Sequence, residues 1–298
     1  MSYERDFLGY GGKPPSFHWP GNRRLALSVV FNLEEGSEHS FPEDGIVETV
    51  GEFGPVDMNV RDVGMESAYE YGLRSGIWRI LRLLDERKVK ATFFATAKAL
   101  DANRAAARAI VSHGHEICDH GYRWTELYRM SYEEEKREIE RSVSLIREIT
   151  GTLPKGFYAR EPSPNTISIV SRMKNFIYDS DSYSDDLPYF DRSTGMLILP
   201  YTPDANDFHF LSPMHRFSNS ADFLQYLKDT FDILYEESAS SPVMMSVGLH
   251  VRISGRPGRF RAVRDFIDYA MARKGVWIAR RDEIADFWLK KFGKHSGT

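Results

Sequence analysis

Two adjacent glutamates, Glu34 and Glu35, two separated histidines, His120 and His250, and two arginines, Arg160 and Arg252, are the side chains of this sequence best suited to hydrolysis. Adjacent carboxylates repel each other, which raises one pKa and makes Glu34 or Glu35 a candidate general base. Imidazole titrates near neutral pH, so His120 and His250 are candidates for the acid and the orienting group. Guanidinium offers a fixed fork of donors, which suits Arg160 or Arg252 to a polarised carbonyl, a ureido group or a carboxylate. Tyr122 and Trp124 follow His120 closely and would supply flat walls to a compact pocket. Asp181 and Asn206 complete the candidate substrate-binding set. Hydrolysis of an amide requires an activated water, a stabilised oxyanion and a proton for the leaving nitrogen, and this set holds a candidate for each.

Those residues share one property: each follows an expected strand. Leu25 to Leu33 is an apolar, β-branched run that predicts a buried strand. Further strands are expected at Ala91–Thr96, Glu116–Cys118, Gly156–Tyr158, Phe176–Asp179, Met196–Leu199, Val243–Leu249 and Val276–Ala279. Helices are expected between them near Gly76–Arg87, Asn103–Ser112, Thr166–Met173, Ala221–Glu236, Gly258–Ala272 and Asp282–Lys290. Another starts at Ser131, where Glu134 completes a capping box, and ends before Gly151. Such alternation predicts a parallel sheet, and its length favours a closed barrel. Side chains just past the strand ends then converge on one face, adding Asp179, Asp204, Arg280 and Arg281 to the polar list. Residues 34–75 are polar and aperiodic and read as a long loop. Residues 1–24, rich in Gly, Pro and aromatics, read as an extended arm, and residues 25–298 as a single barrel domain.

Composition excludes several classes. The chain has 298 residues, 42% hydrophobic, with a formal charge of −4 and scattered Lys and Arg, which argues against nucleic acid. No run reaches a membrane span, and Met1 to Tyr10 lacks an apolar signal. The single cysteine, Cys118, rules out an internal disulfide, so a cytoplasmic location is expected. The bland readings are a packed thiol for Cys118, a structural imidazole for His115 and a solvated helix face for Glu133 to Arg141.

Taken in order, Glu34-Glu35-Gly36, Gly114-His115-Glu116-Ile117 with His120, Arg160-Glu161-Pro162, Tyr178-Asp179-Ser180-Asp181 and Leu249-His250 resemble the motifs of the polysaccharide-deacetylase (NodB-type) superfamily. The resemblance implies an α/β fold, a distorted (β/α) barrel of about seven parallel strands. It also makes Glu34 the counterpart of the base and Glu35 of a metal-ligating Asp. The second metal-ligating His falls at Trp124, whose indole cannot coordinate. Were zinc present, Glu35 and His120 would be two ligands where three are needed, so no cofactor is expected.

The segments Arg5 to Gly11, Met65 to Gly72, Gly114 to Trp124, Tyr178 to Tyr189 and Gly248 to Pro257 resemble a subgroup of that superfamily, the allantoinases and cyclic imide hydrolases. This implies metal-independent ring opening of a small cyclic ureide or imide, as in purine catabolism, by a homo-oligomer for which a tetramer is one candidate. The loop from His39 to Asp62 and the segment Ala159 to Ser163 depart from the subgroup. Two other classes compete: a zinc-dependent N-deacetylase of an acetylated sugar or small amide, and a non-catalytic binding protein on the same barrel.

Overall fold

The computed structural model describes residues 5–48, 57, 59–212 and 216–293. Parts of the expected arm (1–4), of the loop from His39 to Asp62 (49–56 and 58) and of the C-terminal end (294–298) lie outside the described residues.

The strands are β1 (Leu25–Leu33), β2 (Thr92–Ala95), β3 (Glu116–Asp119), β4 (Gly156–Phe157), β5 (Tyr178–Asp179), β6 (Tyr189–Phe190), β7 (Leu197–Ile198), β8 (Val243–His250) and β9 (Val276–Ile278). They form one curled sheet in the order β6-β7-β5-β4-β3-β2-β1-β8, with β9 pairing on β1. All pairings are parallel except that of β6 with β7. The gap between β7 and β8 is bridged by the segment after β7. There Ser246 Oγ donates to the Pro200 carbonyl at 3.1 Å and Gly248 N–H to the Ala205 carbonyl at 2.9 Å. The result is the distorted (β/α) barrel that the sequence predicted, with the short β6 hairpin as an addition.

β1 is buried along its whole length because both of its faces are covered. Leu25, Leu27, Val29, Phe31 and Leu33 pack outward with Ile77, Ile80, Leu84, Phe223 and Phe266 from the surrounding helices. Ala26 and Val30 point inward with Phe94, Cys118, Tyr178 and Tyr201. Side chains alternate along a strand, so the next inward position after Asn32 is Glu34, and Glu35 falls on the helix side.

Register then fixes which residues meet. Leu33 lies opposite Ala95, Ala95 opposite Asp119, and Asp119 opposite Phe157. The following row therefore contains Glu34, Thr96, His120 and Tyr158. On the other edge Asn32 lies opposite His250, which brings Arg252 level with Glu34.

Most expected helices form, including Tyr132–Thr150, with its Ser131–Glu134 capping box and Gly151 in the left-handed conformation at the other end. The expectation of a structureless 34–75 is corrected. Phe41–Asp44 and Val63–Tyr71 are helical, and a π-helical turn, Gly72–Gly76, joins the second of these to helix Ile77–Arg87. Asp62 caps Val63–Tyr71 by accepting from Met65 N–H. At the other end of the barrel, Phe17 and Trp19 from the arm pack against Phe287 and Trp288, and Trp19 Nε1 donates to the Val243 carbonyl.

Candidate active site

The row predicted by the register is a polar cluster sealed inside apolar walls. Glu34 is 1% exposed, and Arg252 Nη1 donates to its Oε2 at 2.6 Å. Its other oxygen, Oε1, faces His120 Nε2 at 3.2 Å and His250 Nε2 at 3.6 Å. Burial alone would raise the Glu34 pKa, but His250 and His120 in their imidazolium forms, together with the Arg252 cation, outweigh it and hold the carboxyl well below its usual range.

Both imidazoles are fixed by their other nitrogen. His120 Nδ1 is 2.9 Å from the Tyr158 carbonyl, an acceptor only, so Nδ1 carries a proton. His250 Nδ1 donates to Asp207 Oδ1 at 2.7 Å. Asp207 is fully buried, and its Oδ2 accepts from His250 N–H at 2.8 Å and Ser254 Oγ at 2.5 Å. With each Nδ1–H committed, each Nε2 bears a proton only as imidazolium. The atoms of this site free to exchange a proton are therefore Glu34 Oε1 and the two Nε2 atoms.

Asp207 was not among the residues singled out from the sequence. The signal that finds it is chemical: a histidine acting through Nε2 needs an acceptor at Nδ1. Asp207 stands next to Asn206 in the segment that bridges β7 and β8.

Tyr69 and Trp124 wall the site, with ring centroids 4.7 and 5.2 Å from the Arg252 guanidinium. Tyr69 lies in the segment expected to be loop, on helix Val63–Tyr71, where Met65, Ala68 and Tyr69 form the buried face. Tyr69 also lines a shallow surface cleft with Glu38, Phe41, Val47, Glu48 and Met65.

The remaining candidates are distributed differently. Glu35 turns to the helix side: its Oε2 accepts from Glu34 N–H at 3.1 Å, and its carboxyl packs on Gly72, where a Cβ would come within 2.1 Å of Oε1. Any side chain at Gly72 would displace the Glu35 carboxyl. Arg160 does not reach Glu34; it stacks on Trp124 at 3.8 Å and pairs with Glu48 Oε2 at 2.9 Å. Tyr122 is turned toward helix Tyr132–Thr150, with Arg141 over its ring at 3.6 Å and bonded to its hydroxyl. Asn206 uses both ends of its amide locally, accepting from Phe208 N–H and donating to the Thr202 carbonyl. Asp181 accepts from Ala159 N–H at 2.7 Å and donates its own N–H to Asp179 Oδ1 at 2.9 Å, with burial raising both carboxyl pKa values. Arg281 sits in the barrel interior, bonded to Ser180, Ser246 and the Pro200 carbonyl. It lies there because β9 pairs only with Leu25–Leu27, so its exit opens below the mouth. Arg280 points away, to the Gly114 carbonyl and Asp282.

The residues present do not fit a zinc centre of the superfamily's kind. Glu35 faces the π-turn, and the indole of Trp124 lies under Arg160. Among the described residues no group of three His, Cys, Asp or Glu side chains is arranged to hold a metal ion. The nearest approach, Glu34 with His120 and His250, already carries the Arg252 cation on the same carboxylate.

Two carboxyls on the helix side give a pH prediction. Burial pushes Glu35 up to about 7 against the pull of Arg252, and pushes Asp119 up to about 7 although Ser142 Oγ and Gly121 N–H donate to it. Folded values above the ordinary 4.5 and 3.8 mean that the native state binds protons the unfolded chain has released. Their contribution is present at low pH and lost as pH rises through about 7. The urea midpoint is expected to fall between about pH 5 and pH 8. Asp119→Asn, which keeps the Oδ1 acceptor, should flatten that fall; an unchanged slope contradicts the assignment.

Comparisons with known proteins agree with this architecture. Residues 62–171 match the family model described as polysaccharide deacetylase. A relative from Schizosaccharomyces pombe, described as "Putative polysaccharide deacetylase", is 36% identical over 317 residues, covering 98% of each chain. The chain belongs to the polysaccharide deacetylase family.

Two solved structures are similar over nearly the whole chain. One is described as a probable polysaccharide deacetylase from Pseudomonas aeruginosa PAO1, with 44% identity, TM-score 0.91, and coverage of 98% of this chain and 99% of that one. The other is described as Puue allantoinase, with 41% identity, TM-score 0.93 and the same coverage. No helix among the described residues is long and apolar enough to cross a membrane.

Proposed function

We propose that this chain hydrolyses a carbon–nitrogen bond in a small cyclic amide, ureide or imide, opening the ring without a metal. The observation that carries this reading is the Asp207–His250–Glu34–Arg252 chain, with His120 on the same Glu34 oxygen. It supplies proton transfer from protein groups alone, beside the two aromatic rings that flank Arg252.

In this reading Glu34 Oε1 orients the attacking water, and the water's proton passes to the Glu34–His250 pair. Asp207 holds Nδ1–H of His250, so the ring presents Nε2 and the imidazolium is stabilised when it forms. Arg252 keeps Glu34 ionised. His120 protonates the leaving nitrogen from Nε2, where a proton exists only in the imidazolium. Such positioned proton transfers contribute about 10²- to 10⁴-fold in rate. The walls Tyr69 and Trp124 favour a flat ring over a polymer, and the similarity to a structure described as an allantoinase supports the same class.

The test is a substrate panel: allantoin, hydantoin, succinimide and dihydrouracil against an N-acetylated sugar. Ring opening with no acetate release is the expected result. Acetate release with no ring opened supports the deacetylase reading instead.

A further inference from the structure

Arg252 carries more donors than Glu34 uses. Its Nη1 is committed to Glu34 Oε2, but Nε and Nη2 have no hydrogen-bond partner among the described residues, although the side chain is 1% exposed. Those two nitrogens form the side-on edge of the guanidinium, two parallel N–H groups that match two oxygens on one carbon. A buried N–H without an acceptor is costly, so an edge kept in this state between Tyr69 and Trp124 calls for an acceptor from outside the chain.

We infer that this free edge of Arg252 is the oxyanion site of the ring-opening reaction, holding both oxygens of the tetrahedral intermediate and then of the product carboxylate. The inference rests on the ring-opening reading and adds a role for a second part of Arg252. Water oxygen bonds to the ring carbonyl carbon, and the carbonyl π pair moves onto its oxygen, while the water's proton leaves to the Glu34–His250 pair. The carbon then bears two oxygens. The C–N bond breaks, its electron pair stays on nitrogen, and nitrogen takes a proton from His120. The product acid gives its remaining proton back to His120 Nε2 and is left as a carboxylate on Arg252. The substrate offers this edge one carbonyl oxygen and the intermediate offers two, so the interaction strengthens along the reaction. The substrate class follows: the attacked carbonyl must lie in a ring that opens to a free carboxylate, as hydantoins and succinimides do.

The test uses the wild-type protein first. Succinamic acid and N-carbamoylglycine are compared as inhibitors with their primary carboxamides, which lack the charge and the second oxygen. The acids should compete with substrate at least about tenfold more strongly than the amides. Arg252→Lys keeps a cation for Glu34 but not the fork. It should lose that preference and lower kcat by about 10²- to 10³-fold with a smaller change in KM. Equal inhibition by acid and amide, or a preference that survives in R252K, overturns the inference while leaving ring opening intact. A wild-type protein that opens no ring overturns the underlying reading and this one with it.

Discussion

Asp207→Asn is expected to lower kcat by about three to four orders of magnitude while the protein stays folded. The expectation follows from who can donate to whom. Asp207 accepts three hydrogen bonds, from His250 Nδ1, His250 N–H and Ser254 Oγ. An asparagine retains one acceptor oxygen, so the backbone and Ser254 contacts survive by rotation of the amide. The amide nitrogen then faces His250 Nδ1, donor against donor, and the imidazole is driven to the tautomer with its proton on Nε2. That tautomer cannot take a proton at the atom facing Glu34. The pH profile separates this account from a loosened structure: the variant should lose the limb that reports His250. An Asp207→Asn protein with a wild-type pH profile and a modest rate loss would assign Asp207 a structural role only.

Glu34→Gln should abolish measurable turnover, a loss of about 10³-fold or more, and should also weaken the fold. Glu34 is the anion on which Arg252, His120 and His250 converge. Removing one member of a buried ion pair leaves the other uncompensated, at a cost of about 3–5 kcal/mol. Loss of activity in this variant is therefore ambiguous alone. Glu34→Asp resolves it, because it keeps the charge but draws the carboxylate back by one methylene. The expectation is a denaturation midpoint much nearer wild type than that of Glu34→Gln, with turnover still reduced about 100-fold or more. A Glu34→Asp protein of near-normal activity would remove Glu34 from the proton path.

Much of this site could be read before any coordinates, for a definite reason. Glu34 and His120 meet because β1, β2 and β3 are parallel and in register, and an apolar run ending in a charged residue marks such a strand end well. His250 and Arg252 follow from the same rule on β8. The rule also explains the division between Glu34 and Glu35: two neighbours on one strand cannot face the same pocket.

What stayed hidden depends on contacts that sequence periodicity does not carry. Asp207 reaches His250 through the non-local pairing of the segment around Asn206 with Gly248. Tyr69 was lost in an expected loop because the π-turn Gly72–Gly76 inserts a wider turn, so the apolar spacing of Val63–Tyr71 falls out of phase with that of Ile77–Arg87. Arg160 and Tyr122 have the right residue types at the right strand exits. Arg160 is taken up by Glu48 and Trp124, and Tyr122 by Arg141. Residue type and strand position together identify the rim of a barrel, and only the hydrogen bonds decide which rim residues face its centre.

The central claim is that protein groups alone perform the hydrolysis, and one measurement bears on it most directly. The ring that the wild-type protein opens fastest is assayed with enzyme exhaustively treated with chelator, verified metal-free by elemental analysis, and again after zinc is restored. The account predicts the same turnover in both samples. Activity that disappears with the metal and returns with zinc would contradict it, and would recast Glu34, His120 and His250 as ligands rather than as the path of the proton.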